Sequence, residues 1–303
     1  MDQTPNHMAT STPSFRTSES PGRVERFWTL VLAACLGAAF VVFLNLAGPW
    51  QVKSVAPSGK EVVDIDFSRI LVDWSYYHDE EDRLIDKHNW FSVQAFMWVA
   101  MFTGMGELWI RSRAMRSDQA ILRKRLLPED ERSLLVAEDL KPIYVKSRGM
   151  SRTAVLPTLV RRLSMEFRKS KSIDRVNSLL DSSLELFMHQ LDLRYTLLRY
   201  LVWVIPTLGF VGTVIGIADA MSFAGSGAVG PDQLLGPTTQ KLAVAFYTTL
   251  VALLQSGVLV FGMNSLQAGE EKVLNDAGQY CLENLVMRLM EPGQLEDAHR
   301  RDT

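Results

Sequence analysis

Hydrophobic and polar positions alternate in blocks along this chain, and four of the apolar blocks read as helices crossing a membrane. They are Phe27–Leu46, Trp90–Ile110, Leu201–Met221 and Leu242–Met263, each near the roughly 18–20 residues that hydrocarbon requires. The polar stretches between them keep a helical period. Ile173, Val176, Leu180, Leu184, Phe187, Leu191, Tyr195 and Leu198 recur every three or four positions, as on one face of a helix. Ser172 is placed to cap that helix, with Asp174 in its first turn. The spacing predicts a rod of about 45 residues running unbroken from Ile173 into the third block. Beyond the fourth block, Leu266, Val273, Ala277, Cys281, Leu285 and Leu289 continue a stripe as far as Pro292-Gly293. Two striped rods leaving the membrane together predict a helical bundle beside it. The predicted fold is all-α: a polytopic membrane protein whose long helices extend into a cytoplasmic bundle.

Charge orients these blocks. Between Trp50 and Asn89 nine acidic residues face five basic ones, whereas Arg111, Arg113, Arg116, Arg123, Lys124 and Arg125 meet only Asp118. Lysine and arginine collect on the cytoplasmic side of a span. The chain therefore divides into a disordered cytoplasmic N-terminus (1–26), the first span (27–46), an acidic periplasmic loop (47–89) and the second span (90–110). A cytoplasmic helical domain (111–200), punctuated by Pro128, Pro142, Gly149 and Pro157, leads to the third span (201–221). A short periplasmic loop (222–241), the fourth span (242–263) and a cytoplasmic helix and tail (264–303) complete it. Both termini are expected in the cytoplasm. The first apolar block follows Arg16, Arg23 and Arg26, which also suits a signal peptide. Its length and the lack of an A-x-A site favour a retained helix.

Composition adds exclusions. With 47% hydrophobic residues and a net charge of −2, nothing marks a nucleic-acid surface, and no basic patch carries interleaved aromatics. Cys35 lies in the first block and Cys281 in a late polar helix, so a disulfide framework is not expected. Gly225 to Gly230 fits G-x-G-x-x-G, but it joins two spans with no strand before it, which is not the nucleotide-binding context. The acidic residues between His78 and His88 read as a solvated loop rather than a metal site. No Ser/His/Asp order, Walker loop or Cys/His ligand spacing is present, so neither an enzyme nor a cofactor is expected.

The informative chemistry lies in the third block. Gly209, Gly212 and Gly216 fall on one helix side, and each costs about 1 kcal/mol of helix propensity relative to alanine. In lipid the return is close backbone packing. Thr213 sits inside this face and Pro206 opens it. Thr213 lies six residues before Asp219, and Thr249 eight after Lys241. At the rise of an α-helix both hydroxyls fall about 9–12 Å from the outer boundary. Either threonine can instead bond the carbonyl four residues back in its own helix. Glu107, at the inner end of the second block, has Arg111 at i+4, a favourable helix pair. It is also a candidate proton exit, because carboxylates at membrane depth are functional by default. Asp219 reads as an interface cap. Tyr247, Gln255 and Ser256 add polar groups to the fourth helix.

Pro206, Leu208, Gly209, Gly212, Thr213, Val214, Gly216 and Ile217 form P-x-L-G-x-x-G-T-V-x-G-I, and Ala243 to Leu253 form a second small-residue block. Together these resemble the MotA/TolQ/ExbB proton-channel family. The resemblance implies that Thr213 and Thr249 line an ion path, with the adjacent Thr248 as the other match. It implies a homo-oligomeric ring, by family resemblance a pentamer, around a single-span MotB/TolR/ExbD-type partner. That partner would supply the titrating aspartate, which these spans lack. It implies a bacterial inner-membrane proton or sodium channel subunit of a motor complex, surrounded by lipid. Four spans resemble MotA, while the glycine-threonine string is closer to ExbB and TolQ; the outer loop suits neither. Rival readings are a non-conducting scaffold that recruits soluble partners through its bundle, and a solute or mechanosensitive channel.

Overall fold

The computed structural model describes residues 21–47, 51–55, 61–66, 70–71, 74–78, 84–88, 92–128, 134–150, 154–226 and 230–291. Helix α1 (Pro21–Ala47) is followed by strands β1 (Gln51–Val55), β2 (Glu61–Asp66), β3 (Trp74–His78) and β4 (Leu84–His88). Then come α2 (Val93–Leu122), α3 (Leu140–Arg148), α4 (Val155–Ser170), α5 (Ile173–Arg194), α6 (Thr196–Gly225), α7 (Pro231–Asn284) and a 3-10 turn at Val286–Arg288.

Several expectations are corrected. Helix α1 begins at Pro21, so residues 21–26 are helical rather than part of a disordered leader; residues 1–20 lie outside the described residues. The acidic segment is not wholly a loop. Strand β1 pairs antiparallel with β2 and β3 with β4, in two separate two-stranded sheets, where β-branched and aromatic residues favour extended backbone. The fold is thus helical with two hairpins. Pro142 and Pro157 each sit third in a helix, where a missing N–H costs nothing, so they begin helices rather than separate them.

The expected unbroken rod has one interruption. Tyr195 (φ −83°, ψ −3°) ends α5, its N–H bonding back to the Asp192 and Leu193 carbonyls, and α6 starts at the next residue. Ser172 stands at the cap position but makes no side-chain cap bond. Glu291 takes that role, its Oε1 accepting from the Ile173 N–H at 2.8 Å. The expected loop 222–241 is mostly helix, since α6 runs to Gly225 and α7 starts at Pro231. Proline is well suited to a first helical position.

Two main cores follow. One buries Leu140, Leu159, Leu163, Phe167, Leu180 and Leu285 among the helices flanking the apolar blocks. Cys281 lies here fully buried, and burial pushes its thiol up to about 12, so it packs as a small hydrophobe. The other core gathers Met97, Ile205, Ala252 and Leu259 from α2, α6 and α7. Among the described residues, three stretches are long and apolar enough to cross a membrane: Val24–Ala47, Ile173–Gly225 and Leu234–Arg288. Helix α2, which holds the expected second span, is not among them; Gln94, Thr103 and Glu107 dilute it. Only 28, 22 and 39% of the three apolar windows is buried within the chain, leaving most of each to lipid or to other chains.

The packing directions are regular. A Cβ on Gly37 would meet Phe102, and one on Gly106 would meet Ala33, so α1 and α2 run antiparallel. Helices α6 and α7 are antiparallel through Gly209–Ala252, Gly212–Thr248 and Gly216–Ala245. Helices α2 and α7 run parallel. Gln94 bonds Thr248, and Gly104, Leu108 and Gly262, and Gly269 and Met115 approach with nearly one constant offset, Gly104 against Leu259.

Candidate functional site: the threonine pair and the inner ion network

The glycine face of α6 is filled by α7 of the same chain. A methyl added at Gly209 would stand 2.4 Å from the Ala252 Cβ, one at Gly212 2.5 Å from Thr248 Cγ2, and one at Gly216 2.7 Å from the Ala245 Cβ. Only hydrogen fits at these positions. The close approach brings Thr213 and Thr249 hydroxyl to hydroxyl. Both hydroxyls also lie 3.1 Å from the Gly209 carbonyl, and Thr213 Oγ1 lies 3.2 Å from the Ala245 carbonyl. For Thr213 the local bond and the cross-helix contact therefore coexist. Both threonines are half-buried.

Thr248, one position away, points elsewhere. It is buried, donates to the Val244 carbonyl at 2.8 Å and accepts from Gln94 Nε2 at 3.3 Å. Gln94 escaped the sequence reading because it opens a block read only for its apolarity. Pro206 lies inside α6 and leaves the Val202 carbonyl without its helical donor. The Ser256 hydroxyl of α7 donates to that carbonyl at 3.0 Å, so proline and serine form a matched pair across the helices. Gln255 is 4% exposed, and neither of its amide atoms has a hydrogen-bond partner among the described residues. At the far end of the same two helices Lys241 is ion-paired with Asp219, which places the two expected boundary residues side by side.

The opposite end carries a buried ion network. Glu107 is paired with Arg111, as the i+4 spacing predicts, at 3.0 Å. It is also held by Arg26 of α1, whose Nε donates at 3.1 Å and whose Nη2 donates to the other oxygen. Arg111 donates to the Arg194 carbonyl at the α5–α6 break, lies 4.3 Å above the Tyr195 ring, and stands 3.6 Å from Glu270 of α7. Side-chain exposure is 1% for Glu107 and 6% for Arg111, so pairing is obligatory there. Burial raises the Glu270 carboxyl above its usual range, against the pull of Arg111. Burial likewise lifts Asp118 to about 6, with Arg194 lowering it and Glu270 raising it. Helical spacing predicts only the Glu107–Arg111 half of this network; Arg26 lies 81 residues from Glu107.

Gly225–Gly230 and the acidic stretch between His78 and His88 fall largely outside the described residues. Among the described residues no group of three or more histidine, cysteine or acidic side chains could hold a metal.

Three helical stretches long and apolar enough to cross a membrane, two of them packed against each other through a glycine face and a hydroxyl pair, fit a multi-pass helical membrane protein. Residues 150–277 match the model of the MotA/TolQ/ExbB proton channel family. The match holds the glycine face, both threonines and Glu270, but not α1, Glu107 or Arg111. No curated protein and no solved structure matches the chain.

Proposed function

We propose that this chain is the channel subunit of an ion-motive-force-driven complex in a bacterial inner membrane, carrying protons or sodium ions. Copies of it form a ring, five by family resemblance, around a single-span MotB/TolR/ExbD-type partner that contributes the titrating aspartate. The observation that carries this reading is the hydroxyl contact between Thr213 and Thr249, set in a helix pair whose apolar cores hold no acid. No Asp or Glu occurs between Leu201 and Ala218 or between Leu242 and Gly269. Hydroxyls can relay and coordinate but do not titrate near neutral pH, so the carboxylate has to come from another chain.

Four spans are part of the proposal. Helix α2 is the least apolar of the four, yet it keeps step with α7 from Gln94 to Met115. A helix parallel to a crossing helix over that length, about 30 Å, crosses with it. Positive-inside orientation then puts the Glu107 network, the larger core and both termini in the cytoplasm, and the Asp219–Lys241 pair and the two hairpins outside.

Thr213→Val and Thr249→Val test the reading in the purified complex reconstituted with its partner. A hydroxyl bond between membrane helices is worth about 0.6 kcal/mol, so both variants are expected to assemble. Proton flux, followed with a pH-sensitive dye in liposomes, should be lost in each. Full flux in both would remove the threonines from the path.

A further inference from the structure

At the cytoplasmic end of α1 and α6 lies an open groove of about 600 Å³, lined by Arg26, Leu193, Arg194, Thr196, Leu197 and Tyr200. We propose that this groove binds the phosphate headgroup of an anionic phospholipid of the inner leaflet. The proposal rests on the membrane orientation given above and on no step of ion conduction.

Two guanidinium groups of like sign share the groove. Arg26 is 38% exposed even while it holds Glu107, leaving donor capacity toward solvent. The Arg194 carbonyl is taken by Arg111; its exposed side chain acts at longer range on Asp118 and Glu270 but makes no contact ion pair among the described residues. Asp192, two positions before it on α5, is already paired with Arg199 at 3.0 Å. A planar guanidinium binds phosphate oxygens in bidentate fashion, and a pair of them makes a site for an anion. The remaining lining decides which anion. Leu193 and Tyr200 are 60 and 57% exposed, surface that a free phosphate ion would leave bare. A lipid covers it, headgroup on the arginines and acyl chains along the exposed apolar flanks. Those flanks continue from the groove: Trp203 stacks beside Tyr200, ring centroids 6.3 Å apart, and on α1 Phe27 and Trp28 are more than half exposed. Aromatic rings gather where headgroups meet hydrocarbon, and basic pockets between helices on the cytoplasmic side suit anionic headgroups.

The groove also touches the buried network. Glu107 bridges Arg26 and Arg111, and Arg111 holds the backbone at Arg194. An occupying phosphate would share Arg26 with Glu107, linking the lipid to the joint between α5 and α6.

The test is native mass spectrometry of the delipidated complex, titrated with dioleoyl-phosphatidylglycerol, with dioleoyl-phosphatidylcholine and with inorganic phosphate as competitor. Phosphatidylglycerol should be retained over phosphatidylcholine by the wild-type protein. Arg194→Gln should weaken that retention about fivefold, the worth of one basic residue at a charged leaflet; Arg175→Gln, on the exposed side of α5, should not. Equal retention of the two lipids by the wild-type protein overturns the proposal without recourse to any variant. So does unchanged selectivity in a correctly assembled Arg194→Gln protein. Displacement of phosphatidylglycerol by equimolar inorganic phosphate would mark a site for the free ion and overturn it equally. None of these outcomes depends on ion flux, so failure here and failure of the channel reading are separable.

Discussion

Gly209→Ala gives opposite signs for two physical effects, which makes it a sharp probe of the α6–α7 contact. Helix propensity alone predicts a gain of about 1 kcal/mol. The structure predicts a loss. The new methyl would stand 2.4 Å from the Ala252 Cβ, whereas carbon atoms rest at about 3.5–4.0 Å. The helices must part by about 1 Å, because Ala252 has no flexible end to move aside. Overpacking of this kind costs about 1–3 kcal/mol. The displacement also stretches the two hydroxyl bonds to the Gly209 carbonyl, both 3.1 Å, at about 0.6 kcal/mol each. The expected net effect is a destabilisation of about 1–3 kcal/mol, read by SDS or thermal unfolding of the purified protein in detergent. The double variant Gly209→Ala with Ala252→Gly moves the methyl from one helix to the other and should restore most of the loss. A Gly209→Ala protein as stable as wild type, or a double variant no better than the single, would refute the contact as described.

Two further substitutions address the ion network. Glu107→Gln leaves Arg111, 6% exposed, without its main counter-charge, and should cost about 3–5 kcal/mol in the same unfolding assay; a loss below 1 kcal/mol would mean the network is hydrated. Asp118 is raised from 3.8 to about 6, chiefly by burial, so the folded state binds its proton more tightly than the unfolded chain does. Its contribution to stability is complete below about 4 and is lost as pH rises through about 6. Asp118→Asn should therefore melt above wild type at pH 7.5, and the difference should close as pH falls to 5; a gap that is constant or widens toward acid would contradict the assignment.

What the sequence discloses here is the local part of the structure. The helical blocks and the glycine spacing follow from helical geometry, and the glycines meet α7 as that spacing implies; the second block forms helix α2, which is not among the stretches apolar enough to cross a membrane. What escaped depends on long-range pairing. Ser172 has the right chemistry for a cap, but Glu291, 118 residues away, reaches the same N–H. Arg26 looked like a flanking charge of the first block because its partner Glu107 lies two helices' length along the chain. The break at Tyr195 carries no glycine or proline; Arg111 holds it from outside by taking the Arg194 carbonyl and covering the Tyr195 ring. The segment 222–241 reads as loop from its Gly, Ser and Pro content, yet Pro231 opens a helix of 54 residues. Gln94 drew no attention because its value lies in Thr248, on a helix that composition cannot align with its own.

The placement of polar groups also separates what moves an ion from what holds the subunit together. Both oxygens of Glu107 are engaged by guanidinium N–H groups from two helices. A carboxylate so held serves as a joint among α1, α2 and, through Arg111, α7. The glycine face is likewise internal, spent on packing α6 against α7. What remains for neighbours is the opposite side of that hairpin, where Phe210, Ile215, Phe246, Leu254 and Phe261 are more than half exposed. In the proposed ring these large apolar side chains, together with the open position at Gly257, are the surface offered to neighbours. In the proposed complex, the half-buried threonines at the seam of the two helices would meet a partner's carboxylate without dismantling either contact.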